Sequence, residues 1–121
     1  MRVLHHVQVA CPAGSEGAVR DFYGRLLGLH EVEKPPELAK RGGVWFRGES
    51  YELHVGVETP FAPAAKAHPA FLVDDLDDLA RRFADAGYDV AWDSNFPAYR
   101  RFHLADPNGN RVEILAAITQ T

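Results

Sequence analysis

Histidine is the residue with the most chemistry to offer in this sequence. Six occur in a short chain, and imidazole is both the commonest metal ligand and the side chain that most readily exchanges a proton near neutral pH. Two of them stand at similar distances from a carboxylate: His6 precedes Glu52 by 46 positions, and His68 precedes Glu113 by 45. His54 follows Glu52 two residues later, and Arg101 and His103 lie shortly before Glu113. Two imidazoles with one or two carboxylates suit Fe²⁺, Mn²⁺, Ni²⁺, Co²⁺ or Zn²⁺, whereas Ca²⁺ and Mg²⁺ prefer all-oxygen sites. The lone cysteine, Cys11, has no partner for an internal disulfide and no flanking motif, so it reads as a small buried side chain and not a nucleophile.

The elements that must position these groups follow from periodicity. Arg2–Ala10 alternates, is rich in valine and runs into Cys11-Pro12-Ala13-Gly14, which predicts a strand closed by a loop. Ser15 is a candidate helix cap; Ala18, Val19, Phe22, Tyr23, Leu26 and Leu27 then recur at helical spacing, and Gly28 stands just past the end. Leu29–Glu33, Val44–Arg47 and Tyr51–Val57 are short extended candidates, separated by a Pro-Pro loop and a turn around Gly48. After a Pro/Ala-rich link the order starts again. His68–Val73 reads as a strand, Asp74 or Asp75 as a cap, Leu76, Leu79, Ala80 and Phe83 as a helical stripe, and Gly87 as its stop. Tyr88–Trp92, Tyr99–Leu104 and Arg111–Ala116 complete the set, the last two joined by the Asn-Gly-containing turn Asp106–Asn110.

Each half therefore reads βαβββ, an internal repeat in which the histidine falls in the first strand and the glutamate in the last. The expected organisation is a single α+β domain over 1–121, with module one at 1–58, a link at 59–67 and module two at 68–118.

Alternation splits each strand into two faces. Val3, Val7 and Val9 oppose Leu4, His6 and Gln8; Tyr51, Leu53, Val55 and Val57 oppose Glu52 and His54. Phe71 and Val73 oppose His68 and Ala70, and Val112 and Ile114 oppose Arg111 and Glu113. The apolar faces are expected against the two helices, leaving a curved mixed sheet whose polar face surrounds a metal or ligand cavity. Polar groups in such a hollow lose water and need a hydrogen-bond partner, a metal or a ligand in return.

Composition excludes several other functions. A net charge of −4 opposes the phosphate attraction on which nucleic-acid binders rely. The N-terminal stretch MRVLHHVQVACP is interrupted by two histidines, which fits neither a signal peptide nor a membrane span, so a cytoplasmic location is expected. With 46% hydrophobic and 25% charged residues, a disordered chain is excluded as well.

Leu4-His5-His6-Val7, Asp21-Phe22-Tyr23 with Leu27-Gly28-Leu29, Val73-Asp74-Asp75-Leu76-Asp77 and Asp106-Pro107-Asn108-Gly109-Asn110-Arg111-Val112-Glu113 together resemble the vicinal oxygen chelate superfamily. This is the glyoxalase I, bleomycin-resistance and extradiol-dioxygenase group, built from paired βαβββ modules. The resemblance covers nearly the whole chain. It implies a metal held by residues on the first and last strands of each module, here His6, Glu52, His68 and Glu113, with positions left open for a substrate that chelates through two neighbouring oxygens.

The fourth ligand is Glu52 or His54, or only three protein ligands exist. Two histidines with two glutamates would suit glyoxalase-like proton transfer, Glu113 or Glu52 acting as base. Two histidines with one carboxylate would match the facial triad of Fe²⁺ dioxygenases, for which this chain is short. His54, Arg101, His103 and Gln8 are the candidate substrate contacts. Two functions from different classes result. One is a metal-dependent lyase, isomerase or dioxygenase acting on a small substrate; the other is a metal-free binding or resistance protein that sequesters a small aromatic or cationic compound. A homodimer is expected from the sheet edges that such modules expose.

Overall fold

A computed structural model describes residues 1–118. The chain divides into two compact units, the first ending at Ala64 and the second beginning at Ala65.

The first unit contains β1 (His6–Cys11), α1 (Glu16–Val19), β2 (His30–Val32), α2 (Pro36–Ala39), β3 (Val44–Arg47) and β4 (Glu52–Val57). Its sheet has the order β1-β4-β3-β2, with β1 parallel to β4 and the remaining pairs antiparallel. The expected first helix is present but changes character. After Val19 it continues over Arg20–Leu26 with the wider π-helical turn, where Leu27 N–H donates to Phe22 O five residues back at 2.9 Å. The wider turn brings neighbouring residues closer in azimuth, and the consecutive Phe22 and Tyr23 are both fully buried. Tyr23 faces Phe46 of β3 with ring centroids 6.0 Å apart, so the helix closes over the apolar face that carries Val44, Phe46, Leu53 and Val55. Cys11 is buried and unpaired in this core.

The second unit contains β5 (Ala70–Leu72), α3 (Leu76–Asp85), β6 (Ala91–Asp93), β7 (Tyr99–Ala105) and β8 (Arg111–Ala117), with sheet order β5-β8-β7-β6. Helix α3 buries Leu76, Leu79, Ala80 and Phe83, the predicted stripe. Phe83 meets Phe102 of β7 edge-on at 6.4 Å. Burial of each such side chain contributes roughly 1.5–3 kcal/mol. Gly28 and Gly87 end their helices with φ of +95° and +94°, the left-handed conformation that glycine adopts at least cost.

Strand limits differ from the alternation in an informative way. The first strand begins at His6, not Arg2; Val3 and Leu4 stay exposed, because β4 starts at Glu52 and no partner backbone reaches further back. The strand expected over His68–Val73 is ladder-paired only at Ala70–Leu72, so His68 precedes it. The strand expected over Tyr88–Trp92 lies at Ala91–Asp93. The Pro-Pro loop contains a short helix, Pro36–Ala39, that alternation does not predict.

The parallel ladders correct the repeat. In the first unit His6 is the direct partner of Glu52, whereas in the second Ala70 is the partner of Glu113. The corresponding backbone bonds agree, Glu52 N–H donating to His5 O and Glu113 N–H to Pro69 O. Register-equivalent pairs are thus 46 and 43 residues apart (113 − 70), and His68 falls two positions before the equivalent of His6. Two positions preserve the face, so both histidines still belong to the polar side of their sheets.

Candidate functional site

In the second unit the antiparallel hairpin β7–β8 places His103 directly opposite Glu113 and Arg101 opposite Leu115, on the polar face. His68 approaches from the segment leading into β5. Glu113, only 3% exposed, uses both carboxylate oxygens: Oε1 lies 2.8 Å from His68 Nε2 and 3.2 Å from His103 Nε2, and Oε2 accepts from Arg101 Nη1 at 3.3 Å. Ligand-type atoms of His68, His103 and Glu113 all lie within 4.8 Å of one another.

The far side of His68 defines its state. Its Nδ1 donates to the backbone carbonyl of Lys66 at 3.0 Å, which turns Nε2 towards the Glu113 carboxylate. With Nδ1 carrying a proton, a neutral His68 would aim a lone pair at another acceptor. That arrangement requires a further proton or a cation between them. A backbone carbonyl holding the distal N–H is also the usual outer support of a metal-ligating imidazole. The donor set therefore fits a divalent transition metal.

Electrostatics keep the Glu113 carboxylate ionised. Burial alone would raise the Glu113 carboxyl, but hydrogen bonds from His68 and Arg101 outweigh it and hold the pKa below the usual carboxylate range. Burial, helped by the nearby Arg111 and Arg101 charges, lowers the His103 pKa against the pull of Glu113. Neutral His103 keeps a lone pair for a ligand. Arg101 is engaged: its guanidinium also pairs with Asp93, its Nε donating at 2.8 Å, and stacks over Phe96 at 5.2 Å. Its contacts in the structure orient Glu113; it touches the carboxylate that the sequence places in the site.

In the first unit the polar face carries His6, Gln8, Trp45, Arg47, Glu52 and His54 on neighbouring strands. Trp45 and His54 stack face to face at 3.7 Å and 1°, and His6 stacks on the other side of His54 at 4.1 Å and 16°. His54, 5% exposed, has its Nε2 2.9 Å from Glu52 Oε1. That hydrogen bond, with Arg47 at 3.5 Å from Oε2, lowers the Glu52 pKa despite the opposing desolvation. His5 Nδ1 and His6 Nδ1 are 2.9 Å apart and share one hydrogen bond. His30 pairs with Arg47 in the ladder and is exposed. A concavity of ≈ 410 Å³ lies over this face, with Lys34 and Arg41 from the α2 region among its walls.

Of the expected site residues, His68 and Glu113 come together in one cluster, and His6, Glu52, His54 and Gln8 share one face of the first sheet. His103, expected as a substrate contact, joins the His68–Glu113 cluster. The sequence contained the signal for this. The turn Asp106–Asn110 pairs Ala105 with Arg111, and counting back two residues on each strand pairs His103 with Glu113. Asp93, Lys34 and Arg41 carry no motif and come into view only in the folded chain.

Comparison with known proteins agrees with this architecture. The family profile described as Glyoxalase/Bleomycin resistance protein/Dioxygenase superfamily matches residues 4–114. A protein assigned to the glyoxalase family from Bacillus anthracis is 43% identical, with a TM-score of 0.93 over 98% of this chain and 97% of that one. Lactoylglutathione lyase from Agrobacterium tumefaciens shares the fold at 22% identity and a TM-score of 0.73, covering 96% and 94% of the two chains. TnmS3, an antibiotic binding protein from Streptomyces sp. CB03234, shares it at 21% identity and a TM-score of 0.74, covering 98% and 99%. No curated relative matches the sequence at a significant level. Among the described residues no helix is long and apolar enough to cross a membrane. The profile match over most of the sequence and the close relative over nearly all of it together show that the chain belongs to the Glyoxalase/Bleomycin resistance protein/Dioxygenase superfamily.

Proposed function

We propose that the chain is a metal-dependent enzyme of this superfamily, acting on a small substrate through two neighbouring oxygens. One observation carries the reading: ligand-type atoms of His68, His103 and Glu113 converge within 4.8 Å of one another while Lys66 O holds the distal nitrogen of His68. These three would hold Fe²⁺, Mn²⁺, Ni²⁺, Co²⁺ or Zn²⁺, which when bound supplies Lewis-acid polarisation of a substrate oxygen. Arg101, clamped by Asp93, keeps Glu113 aimed. Glu52, like Glu113, is ionised and so free to take a proton from substrate carbon, although the hydrogen bonds from His54 and Arg47 that lower its pKa also weaken it as a base. His6 and Glu52 remain the expected further ligands, and their variants assign that role by metal stoichiometry.

The competing reading is a metal-free sequestering protein, supported by the Trp45–His54–His6 ladder beside the concavity and by the likeness in fold to an antibiotic binding protein. Metal analysis separates the two. Untagged protein purified without chelator is expected to hold about one divalent ion per chain. His68→Ala, His103→Ala and Glu113→Gln are each expected to release it, and His6→Ala and Glu52→Gln to weaken it. Stoichiometric metal retained by the combined His68→Ala, His103→Ala, Glu113→Gln variant would defeat the assignment.

A further inference from the structure

The charge around the first unit's concavity has the opposite sign to the chain. The molecule carries −4, yet the charged side chains lining this ≈ 410 Å³ hollow are Lys34 and Arg41, joined by the imidazoles of His6 and His54, with no carboxylate among them. The structure assigns the hollow to a small organic anion, a carboxylate or phosphonate carried on a flat apolar body. This deepens the small-substrate reading above and rests on it for the use of the hollow. It does not rest on the metal.

The basic wall is built, not incidental. Gly42 and Gly43 take left-handed φ values of +75° and +88°, tucking the chain end of the α2 region against β4. A Cβ on Gly43 would lie 2.2 Å from Val55 O, so only glycine permits the approach. Gly43 N–H donates to Glu16 Oε2 at 3.0 Å, and the Lys34 ammonium donates to Gly42 O. The end of the loop is thereby fastened at Gly42 and Gly43, next to Arg41 at the rim. Among the described residues the Arg41 guanidinium forms no ion pair, a state it shares with Arg2 and Arg111, whereas the other seven arginines are paired. A fixed loop presenting one unpaired planar guanidinium matches bidentate recognition of an oxygen acid.

The floor explains the flat body. Trp45, His54 and His6 form a stacked row across three strands. Beside them Gly56 leaves room for the Gln8 amide, because a Cβ there would come 2.6 Å from Gln8 Nε2. Ring edges give a shallow bed whose hydrogen-bonding groups are ring nitrogens and the Gln8 amide, and among the described residues that line it the full charges are positive. A cationic compound would meet like charges on the lining, while the Glu52 carboxylate on the same face is already engaged by His54 and Arg47.

The test uses three ligands of one shape: 2-naphthoate, 2-naphthylmethanol and 2-naphthylmethylammonium, measured by equilibrium dialysis on the full chain after metal is stripped. Naphthoate is expected to bind about tenfold tighter than the alcohol, the ammonium weakest, and the advantage to shrink in high salt. Arg41→Gln is expected to remove most of the naphthoate advantage while leaving the alcohol unchanged. Arg41→Glu is expected to strengthen the ammonium. Equal affinities for all three ligands, an ammonium preference in the parent protein, or naphthoate binding unchanged in both Arg41 variants would overturn the proposal. Failure here with stoichiometric metal in the untreated protein rejects the anion and leaves the enzyme reading intact. Naphthoate binding by a protein that never holds metal does the reverse.

Discussion

At the scale of residues, Glu113 is the centre of the second unit: three side chains, two from β7 and one from the segment leading into β5, converge on one carboxylate. The shifts this produces have a defined consequence for stability. His103 in the folded chain is held below its ordinary value of 6.5, so protons bind more readily to the unfolded chain as pH falls past that point. Its contribution is complete above 6.5 and lost on acidification. Glu113, also lowered, adds a second loss below its ordinary 4.5. Urea denaturation of metal-free protein is therefore expected to give a plateau above pH about 6.5 and a two-stage decline below it. In His103→Gln the first stage should disappear and the second remain; an unchanged profile would count against this assignment.

At the scale of elements, the β7–β8 hairpin fixes which side chains meet Glu113, and its turn fixes the hairpin. Asp106, 4% exposed, accepts from the backbone N–H groups of Asn108 and Asn110 at 2.9 Å each and from Asn110 Nδ2 at 3.0 Å. Asn110 is 2% exposed, so its donors have little access to water if that carboxylate is removed. Asp106→Ala should cost about 2–4 kcal/mol by leaving buried donors unmatched. Asp106→Asn, which keeps an accepting oxygen, should cost less. Thermal unfolding of both variants checks this, and equal losses would mean that the acceptor is not what matters. The turn was legible in the sequence because Asn-Gly between two alternating runs has few other uses. The π-helical stretch was not, because residues spaced for an α-helix can also satisfy the wider turn once Phe22 and Tyr23 are pulled onto the sheet.

At the scale of the whole molecule, each unit leaves sheet edges unpaired within itself, β1 and β2 in one and β5 and β6 in the other. Leu72 on β5 is 69% exposed, an apolar side chain on an edge strand. Sedimentation equilibrium is expected to give about twice the 13.4 kDa chain mass, and Leu72→Asp to shift the protein towards monomer. A parent protein that sediments as a 13.4 kDa monomer would reject the homodimer. The net charge also changes meaning at this scale. Read as a single number, −4 suits a cationic ligand, but the folded chain concentrates Lys34 and Arg41 beside one hollow and leaves the acidic excess elsewhere.

The sequence by itself determined the two βαβββ modules, the apolar and polar sides of their strands, and the membership of His6, Glu52, His54, His68 and Glu113 in the polar faces. Alternation has a period of two, so it assigns a residue to a face but leaves its position along that face open. Position is set by the ladders, which join strands far apart in the chain. Only the tertiary structure decided that Ala70, not His68, pairs with Glu113. The same ladders completed the His68–Glu113 cluster with His103, and a loop bent by Gly42 and Gly43 carried Arg41 to the rim of the first unit's concavity.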